Sequence, residues 1–131
     1  MRSKRAKAPR FSRLELRILE VLWTRGPVAI REVQEAIDGA RPTTYTTVQT
    51  MVYRLEAKGA VRRVGKIGNA HVFEAVVARQ AAHRRLMDEW LAMLGGRTQP
   101  VMAHWIETGQ LTRQDLEAAE AELRRREEKK P

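Results

Sequence analysis

The sequence predicts a mainly α-helical protein with one small β-hairpin, in which a winged helix-turn-helix domain precedes a region of three helices. Three observations predict this fold class. Apolar residues recur at helical spacing in three segments before residue 60. Two β-rich runs, residues 60–64 and 70–75, then flank a tip that contains two glycines and an asparagine. Helical spacing returns from about Arg79 and continues almost to the end of the chain.

The first two helices form the scaffold of the winged domain, which is assigned to residues 12–76. Ser12 suits an N-cap position and Glu15 lies three residues later, which is the pattern of a capping box. A Gly-Pro pair ends this helix, and a short extended piece leads into a second helix that Gly39 ends. We expect Glu15 to be an ordinary surface charge, like the other acidic residues of these two helices.

The segment TTYTTVQTMVYRLEAKG is the predicted third helix, although five of its first eight residues are threonines, which are poor helix formers. Its apolar residues keep the spacing of one helical face: Val48, Met51, Val52 and Leu55. Burying each of them contributes about 1.5–3 kcal/mol. Each threonine costs at most about 0.7 kcal/mol relative to alanine. Packing therefore decides in favour of a helix, but it does not explain why threonine was used.

The outward surface of this helix combines short hydroxyls with a guanidinium, which suits contact with DNA. Threonine hydroxyls donate and accept hydrogen bonds, their methyl groups fit the thymine methyl, and short side chains let a helix approach the floor of the major groove. Threonines at the helix start are expected to meet phosphate. The alternative is a half-exposed helix with an accidental excess of threonine. The residues expected to contact DNA are Thr44, Thr46, Thr47, Thr50, Tyr53 and Arg54.

The charge of the chain favours a polyanionic partner, with nucleic acid preferred over an anionic membrane surface. The formal net charge is +9 and the sequence pI is about 10.8. Residues 1–75 hold 15 Lys and Arg against 7 Asp and Glu, whereas residues 76–131 hold 10 against 9. The binding surface is therefore expected in the first half.

Two further basic features lie in that half. Residues 1–11 read as a flexible basic arm, which either solubilises the protein or contacts phosphate. On the predicted hairpin, Arg62, Arg63 and Lys66 are placed to meet phosphates beside the third helix, unless the hairpin is simply solvated.

Residues 77–128 are expected to be a three-helix dimerisation region. Their apolar residues are too many for a solvated tail, and the segment is too short for a core of its own. Burial against a second copy solves this and spaces two DNA-reading helices along one duplex. The alternative is a monomer in which the region packs onto the winged domain. The residues expected at the dimer interface are Leu86, Trp90, Met93, Leu94, Val101, Trp105, Ile106, Leu116 and Leu123.

Several classes of function are disfavoured. The chain has no cysteine, which excludes disulfides and thiolate chemistry and fits a cytoplasmic protein. No apolar run is long enough to insert into a membrane, and no secretory signal follows the basic N-terminus. The three histidines are scattered without ligand spacing, so neither a metal site nor a cofactor is expected. No catalytic constellation is present, and the protein is not expected to be an enzyme.

Three stretches together resemble the penicillinase-repressor family of BlaI, MecI and CopY type: LELRILEVLWTRGPVAIREVQEAI, TTYTTVQTMVYRLEAKGAVRR and GNAHVFEAVV. The resemblance covers about residues 12–128. It implies a winged-helix transcriptional repressor that binds a pseudo-palindromic operator as a homodimer. By motif position, the residues that match the family's DNA-reading helix are Thr46, Thr47, Thr50 and Arg54. The family has lysine or another polar residue where this chain has Thr46, and the cysteines of its copper-responsive branch are absent.

The resemblance also implies a pathway. In several members of the family, a membrane sensor of cell-wall antibiotics leads to proteolysis within a short C-terminal helix, which relieves repression of a β-lactamase-like response. The matching bond here joins His104 to Trp105, with histidine replacing the family's asparagine. The alternative is that Trp105 serves only as an aromatic of the dimer core. A different class of function, a winged-helix module that bridges proteins, also remains open, although its surface need not be this basic.

Overall fold

The computed structural model describes residues 9–37 and 42–130, and its elements follow the predicted order. Residues 1–8 of the predicted arm, and Gly39, lie outside the described residues. The fold class is confirmed, because the described residues form six helices and one small three-stranded antiparallel sheet. The elements are α1 (Arg13–Arg25), β1 (Val28–Ala29), α2 (Ile30–Ile37), α3 (Tyr45–Ala57), β2 (Val61–Ile67), β3 (Ala70–Ala75), α4 (Arg79–Met93), α5 (Gln99–Glu107) and α6 (Arg113–Lys129).

The chain divides into two compact units after Glu89, within α4. The sequence places the start of the C-terminal region earlier, at residue 77. Contacts at the start of α4 explain the difference, because the indole Nε1 of Trp23 donates to the Val77 carbonyl at 2.9 Å. Arg79 lies over the same indole, and Ala82 is fully buried. The first turns of α4 therefore belong to the winged unit.

The core of this unit is formed by α1, α2, α3 and the sheet. Its best-buried large side chains include Phe73 from the sheet and Ile18 and Leu19 from α1. Val48, Val52 and Leu55 of α3 are also fully buried, while Met51 packs at the edge of the core. The helical spacing read from the sequence thus identifies the buried face of α3 correctly.

The sheet has the strand order β1-β3-β2, and all of its pairs are antiparallel. Strand β2 extends to Ile67, so the hairpin tip is shorter than predicted and Gly65 lies inside a strand. Gly68 has φ of +61°, a conformation that glycine adopts without strain at the start of a tight hairpin turn. The β2–β3 register shifts between Arg63 and Gly65, which marks Val64 as the extra residue of a β-bulge.

Glu15 is not the surface charge that the sequence suggested. It is only 2% exposed, and both of its carboxylate oxygens lie within 2.9 Å of Lys58 Nζ. It also completes the predicted capping box of α1, because its Oε1 accepts from the Ser12 amide at 2.8 Å. Lys58 is the C-cap of α3 and also donates to the Arg10 carbonyl at 2.8 Å. This ion pair therefore joins the start of α1 to the end of α3.

In the C-terminal unit, α6 begins with a second capping box, formed by Thr112 and Asp115. The hydrogen bonds that Asp115 accepts from Thr112 lower the pKa of its carboxyl group. Neither α5 nor α6 contains a buried residue. Among the described residues, no helix has both the length and the apolar character needed to cross a bilayer.

We predict that Lys58→Met destabilises the protein by about 2 kcal/mol, because it leaves the buried Glu15 carboxylate without its charge partner. Urea denaturation should show a lower midpoint with an unchanged m-value. The matched control is Arg62→Met, which breaks the exposed Arg62–Glu74 pair and should change stability by less than about 0.5 kcal/mol. Equal losses in the two variants would contradict the structural role of the Glu15–Lys58 pair.

Candidate nucleic-acid interface

One face of α3 is buried and the opposite face is open to solvent. The outward side chains Thr46, Thr47, Thr50 and Arg54 are all exposed. Because the other face packs into the core, the helix axis is held firmly and the outward residues share one surface. A 13-residue helix is about 20 Å long, which suits insertion along a major groove.

The threonine excess is partly explained by the start of this helix. Thr43 precedes α3, and Thr44 is its N-cap, so only three of the five threonines lie inside the helix. The Thr44 hydroxyl accepts from the Thr47 amide at 3.2 Å and donates to the Thr47 hydroxyl at 2.8 Å. Threonine is favoured at an N-cap, and the propensity cost of the segment is correspondingly smaller. Thr47 keeps its own hydroxyl proton for a further partner.

A second stripe of α3 faces the hairpin, and the sequence reasoning missed most of it. Tyr45, Gln49 and Tyr53 recur every four residues, and Gln49 Nε2 donates to the Tyr53 hydroxyl at 3.2 Å. That spacing was the available signal. The stripe lines a groove of about 340 Å³ between α3 and the hairpin. Arg31 of α2 lies over the Tyr45 ring at the same groove, 5.5 Å from its centroid.

The basic residues of the hairpin differ in their partners. Arg62 pairs with Glu74 across the hairpin at 2.6 Å, and Arg63 pairs with Glu56 of α3 at 2.9 Å. The hydrogen bond that the Arg63 side chain donates to Glu56 is the main cause that raises the pKa of the Arg63 guanidinium. Within the described part of the chain, Lys66 has neither an ion pair nor a hydrogen bond through its side chain.

Positive charge next to the open face of α3 therefore comes from few residues. Arg54 and Lys66 have no acidic partner among residues 9–37 and 42–130, and Arg31 has only its contact with the tyrosine ring. Fields from unpaired cations attract phosphate, whereas an ion pair contributes little net charge. No cluster of three or more potential metal ligands occurs in these same ranges.

The C-terminal unit exposes the apolar side chains that the sequence assigned to a dimer interface. Trp90 is 54% exposed and Met93 75% exposed, and both line a groove of about 570 Å³ with Trp105 of α5. Several of the other assigned residues are exposed as well, namely Leu94, Ile106, Leu116 and Leu123. Val101 is half-buried, as is Leu86 of the N-terminal unit.

His104 and Trp105 lie inside α5 and are both exposed. Their carbonyls accept hydrogen bonds that end the helix, from Thr108 to His104 at 3.0 Å and from Gln110 to Trp105 at 2.8 Å. The bond between the two residues is therefore part of regular helix rather than a loop.

Comparison with known proteins places this chain in a family. The family model described as penicillinase repressor matches residues 11–125. The chain belongs to the penicillinase repressor family. The transcriptional regulator BlaI of Mycobacterium tuberculosis, from strains CDC 1551 and H37Rv, is 33% identical over 105 residues. That alignment covers 78% of this chain and 75% of the relative.

A solved structure supports the winged-helix assignment within this family. The solution structure of the DNA-binding domain of the repressor BlaI is 28% identical in sequence and superposes with a TM-score of 0.50. It covers 57% of this chain and 90% of the BlaI domain. The shared part is thus about the size of the winged unit, and the resemblance to the penicillinase-repressor family read from the sequence is confirmed.

Proposed function

We propose that the protein is a transcriptional repressor that binds a pseudo-palindromic operator as a homodimer, with α3 in the major groove. The observation that carries this proposal is the outward surface of α3, which presents Thr46, Thr47, Thr50 and Arg54 from a helix whose other face is buried. Membership of the penicillinase repressor family supports it. The formal net charge of +9 supports a polyanionic partner. No enzymatic step is part of the proposal.

Within the proposed complex, α3 reads bases while other groups hold the backbone. The hydroxyls of Thr47 and Thr50 contact base edges or the thymine methyl, and Arg54 donates to guanine. Thr44 keeps the helix start in place, where the first amides of α3 face a phosphate. Tyr53 contacts the DNA from the side of the helix that faces the hairpin. Lys66 contacts a phosphate from the hairpin.

We predict that Arg54→Ala and Thr50→Val each weaken binding to the specific site by about 1–3 kcal/mol and change binding to random DNA little. Gel shift or fluorescence anisotropy with fragments of the DNA upstream of the protein's own coding sequence measures both affinities. The control is Glu117→Ala on α6, which leaves both unchanged. Equal losses on specific and random DNA would refute base reading by α3.

The same titrations at several salt concentrations separate DNA binding from the rival function, a module that bridges proteins. Neutralisation of phosphates releases counterions, so the logarithm of the binding constant falls linearly with the logarithm of the salt concentration. A slope near zero would favour the protein-bridging module.

The proposed homodimer forms through the C-terminal helices. Trp90, Met93 and Trp105 line one groove of the C-terminal unit and are exposed, and each large apolar side chain withdrawn from water contributes about 1.5–3 kcal/mol. Contiguous exposed apolar residues of this kind mark interaction surfaces. Two copies that bury these patches also present two α3 helices to successive turns of one duplex. Sequestration of Trp90, Met93 and Trp105 at this interface accounts for their exposure in a single chain.

We predict that Trp90→Ala combined with Trp105→Ala converts the protein from dimer to monomer at micromolar concentration, as measured by sedimentation. Affinity for the full operator should fall with the dimer, because two linked heads bind more tightly than one. Residues 1–89 alone should be monomeric for the same reason. The matched control Arg113→Ala alters an exposed polar residue of the same unit and should stay dimeric. A wild-type chain that sediments as a monomer would contradict the proposed interface.

Relief of repression is proposed to follow a cut between His104 and Trp105, triggered through a membrane sensor of cell-wall antibiotics. Proteases bind extended chain, so α5 must open locally before cleavage. Opening costs little where few apolar contacts are buried, and in the single chain α5 contains no buried residue. Cleavage is therefore expected in the monomer that exchanges with the proposed dimer. The cut separates Val101 from Ile106 and α6, which removes much of the proposed dimer interface and lowers operator affinity by mass action.

We predict that cells treated with a β-lactam contain a fragment of the protein ending at His104, whereas untreated cells do not. Mass spectrometry of the immunoprecipitated protein detects the fragment. Derepression of the target gene while only intact protein is found would exclude cleavage and point to a different signal.

A further inference from the structure

Arg63 connects the hairpin to α3 through a fork of two hydrogen bonds. Its Nε donates to Glu56 Oε2 at 2.9 Å, and its terminal nitrogen donates to Glu56 Oε1 at 3.3 Å. Glu56 belongs to the last turn of α3, two residues after Arg54. A planar guanidinium that binds both oxygens of a carboxylate fixes orientation as well as distance. The side chain therefore ties β2 to the helix proposed to read DNA.

The same guanidinium lies over two aromatic rings. Its Cζ is 5.4 Å from the Tyr53 centroid and also 5.4 Å from the Phe73 centroid. The rings themselves are 6.5 Å apart, one from α3 and one from β3. Cation–π attraction acts at these distances. A single side chain of β2 is thus held by both α3 and β3, and little of its charge is left to attract phosphate.

Lys66 lies on the same face of the hairpin but has no such partners among the residues that the structure describes. In the register of the hairpin, Arg63 is opposite Phe73 and Lys66 is opposite His71. Residues 71 and 73 are two apart on one strand, so they and their partners share a face. The bulge at Val64 makes this possible, because in an unshifted strand a residue three positions after Arg63 would face the other way.

We propose that Arg63 is a positioning residue that sets the hairpin against α3, and that Lys66 alone supplies the phosphate contact of this hairpin face. The inference rests on the proposed function and deepens it. The proposal predicts that two cations only three residues apart have different effects on DNA binding. Loss of the Arg63 fork should reduce discrimination between DNA sequences, whereas loss of Lys66 should weaken binding to every sequence.

The decisive variant is Arg63→Lys, because it keeps the positive charge but lacks the planar fork. A residue that acts as a charge on phosphate should tolerate this change, and a residue that positions through fork and stacking should not. The matched control is Arg62→Lys on the same strand, whose exposed pair with Glu74 does not involve α3. Lys66→Ala tests the proposed phosphate contact.

Two measurements are made on each full-length variant. The first is the binding constant for the upstream DNA fragment and for a random duplex of equal length, over a series of salt concentrations. We expect Arg63→Lys to reduce the ratio of specific to random affinity by about tenfold, the scale of coupling between residues in contact, with no change in salt slope. Lys66→Ala should leave the ratio of specific to random affinity unchanged and reduce the salt slope by about 0.9 for each protomer bound. Arg62→Lys should change neither quantity.

The second measurement is amide hydrogen exchange of the hairpin in the free protein, which needs no DNA. Arg63→Lys should accelerate exchange in β2 and β3, and Arg62→Lys should not. If wild-type protein fails to discriminate the fragments while the hairpin of Arg63→Lys exchanges faster, the proposed function fails and the positioning role stands. If wild-type protein discriminates while Arg63→Lys changes neither the affinity ratio nor the exchange, the positioning role is overturned. A further variant, Arg63→Ala, removes the charge of this side chain. If it reduces the salt slope as much as Lys66→Ala does, the positioning role is also overturned.

Discussion

The packing of Val48, Val52 and Leu55 against α1, α2 and the sheet is the interaction on which the proposed interface depends. These side chains are essentially inaccessible to water, so the rotation of α3 about its own axis is fixed by the core. Thr46, Thr47, Thr50 and Arg54 share the opposite surface because the buried face sets the rotation of the helix. A short side chain can contact a base only if its helix is held in a fixed position, because it is too short to compensate for a displacement of the helix.

The sequence predicted the fold well because the signals that determine it are local. Helical spacing predicted the buried face of α3, and the Ser12 cap predicted the start of α1, as the structure confirms. Ion pairs between elements that are distant in the sequence could not be predicted in this way. Glu15 and Lys58 are 43 residues apart, and no periodicity links them, so Glu15 was mistaken for a surface charge. The boundary of the winged unit is a similar case, since the contact of Trp23 with Val77 joins residues 54 apart.

The same limit applies to the candidate site. The sequence predicted the residues that form a pattern on one helix better than the residues whose roles depend on a partner. Thr46, Thr47, Thr50 and Arg54 lie together on the open face of α3, as their spacing requires. The roles of Thr44 and Arg63 depend on partners instead. Thr44 is the N-cap of α3. Threonine is favoured at an N-cap although it is disfavoured inside a helix, and this explains part of the excess of threonine in the segment. The sequence assigns Arg63 to the first β-rich run and Lys66 to the tip, but it gives both the same expected contact with phosphate. Nothing in the sequence shows that Glu56 and two aromatic rings lie against Arg63.

The β-bulge at Val64 is the backbone irregularity on which the separate roles proposed for those two cations depend. An extra residue shifts the pairing of β2 by one position, so Lys66 shares the helix-facing side of the hairpin with Arg63. Arg63 lies nearer the base of the hairpin, where Glu56 and two aromatic rings reach it. Lys66 is adjacent to the residue that precedes the turn, and no ion pair or ring contact of the described residues joins it to these groups. Among the described residues, this face therefore carries a cation neutralised by Glu56 close to α3 and a cation without an ion pair near the tip, which is where the proposed complex places a DNA phosphate.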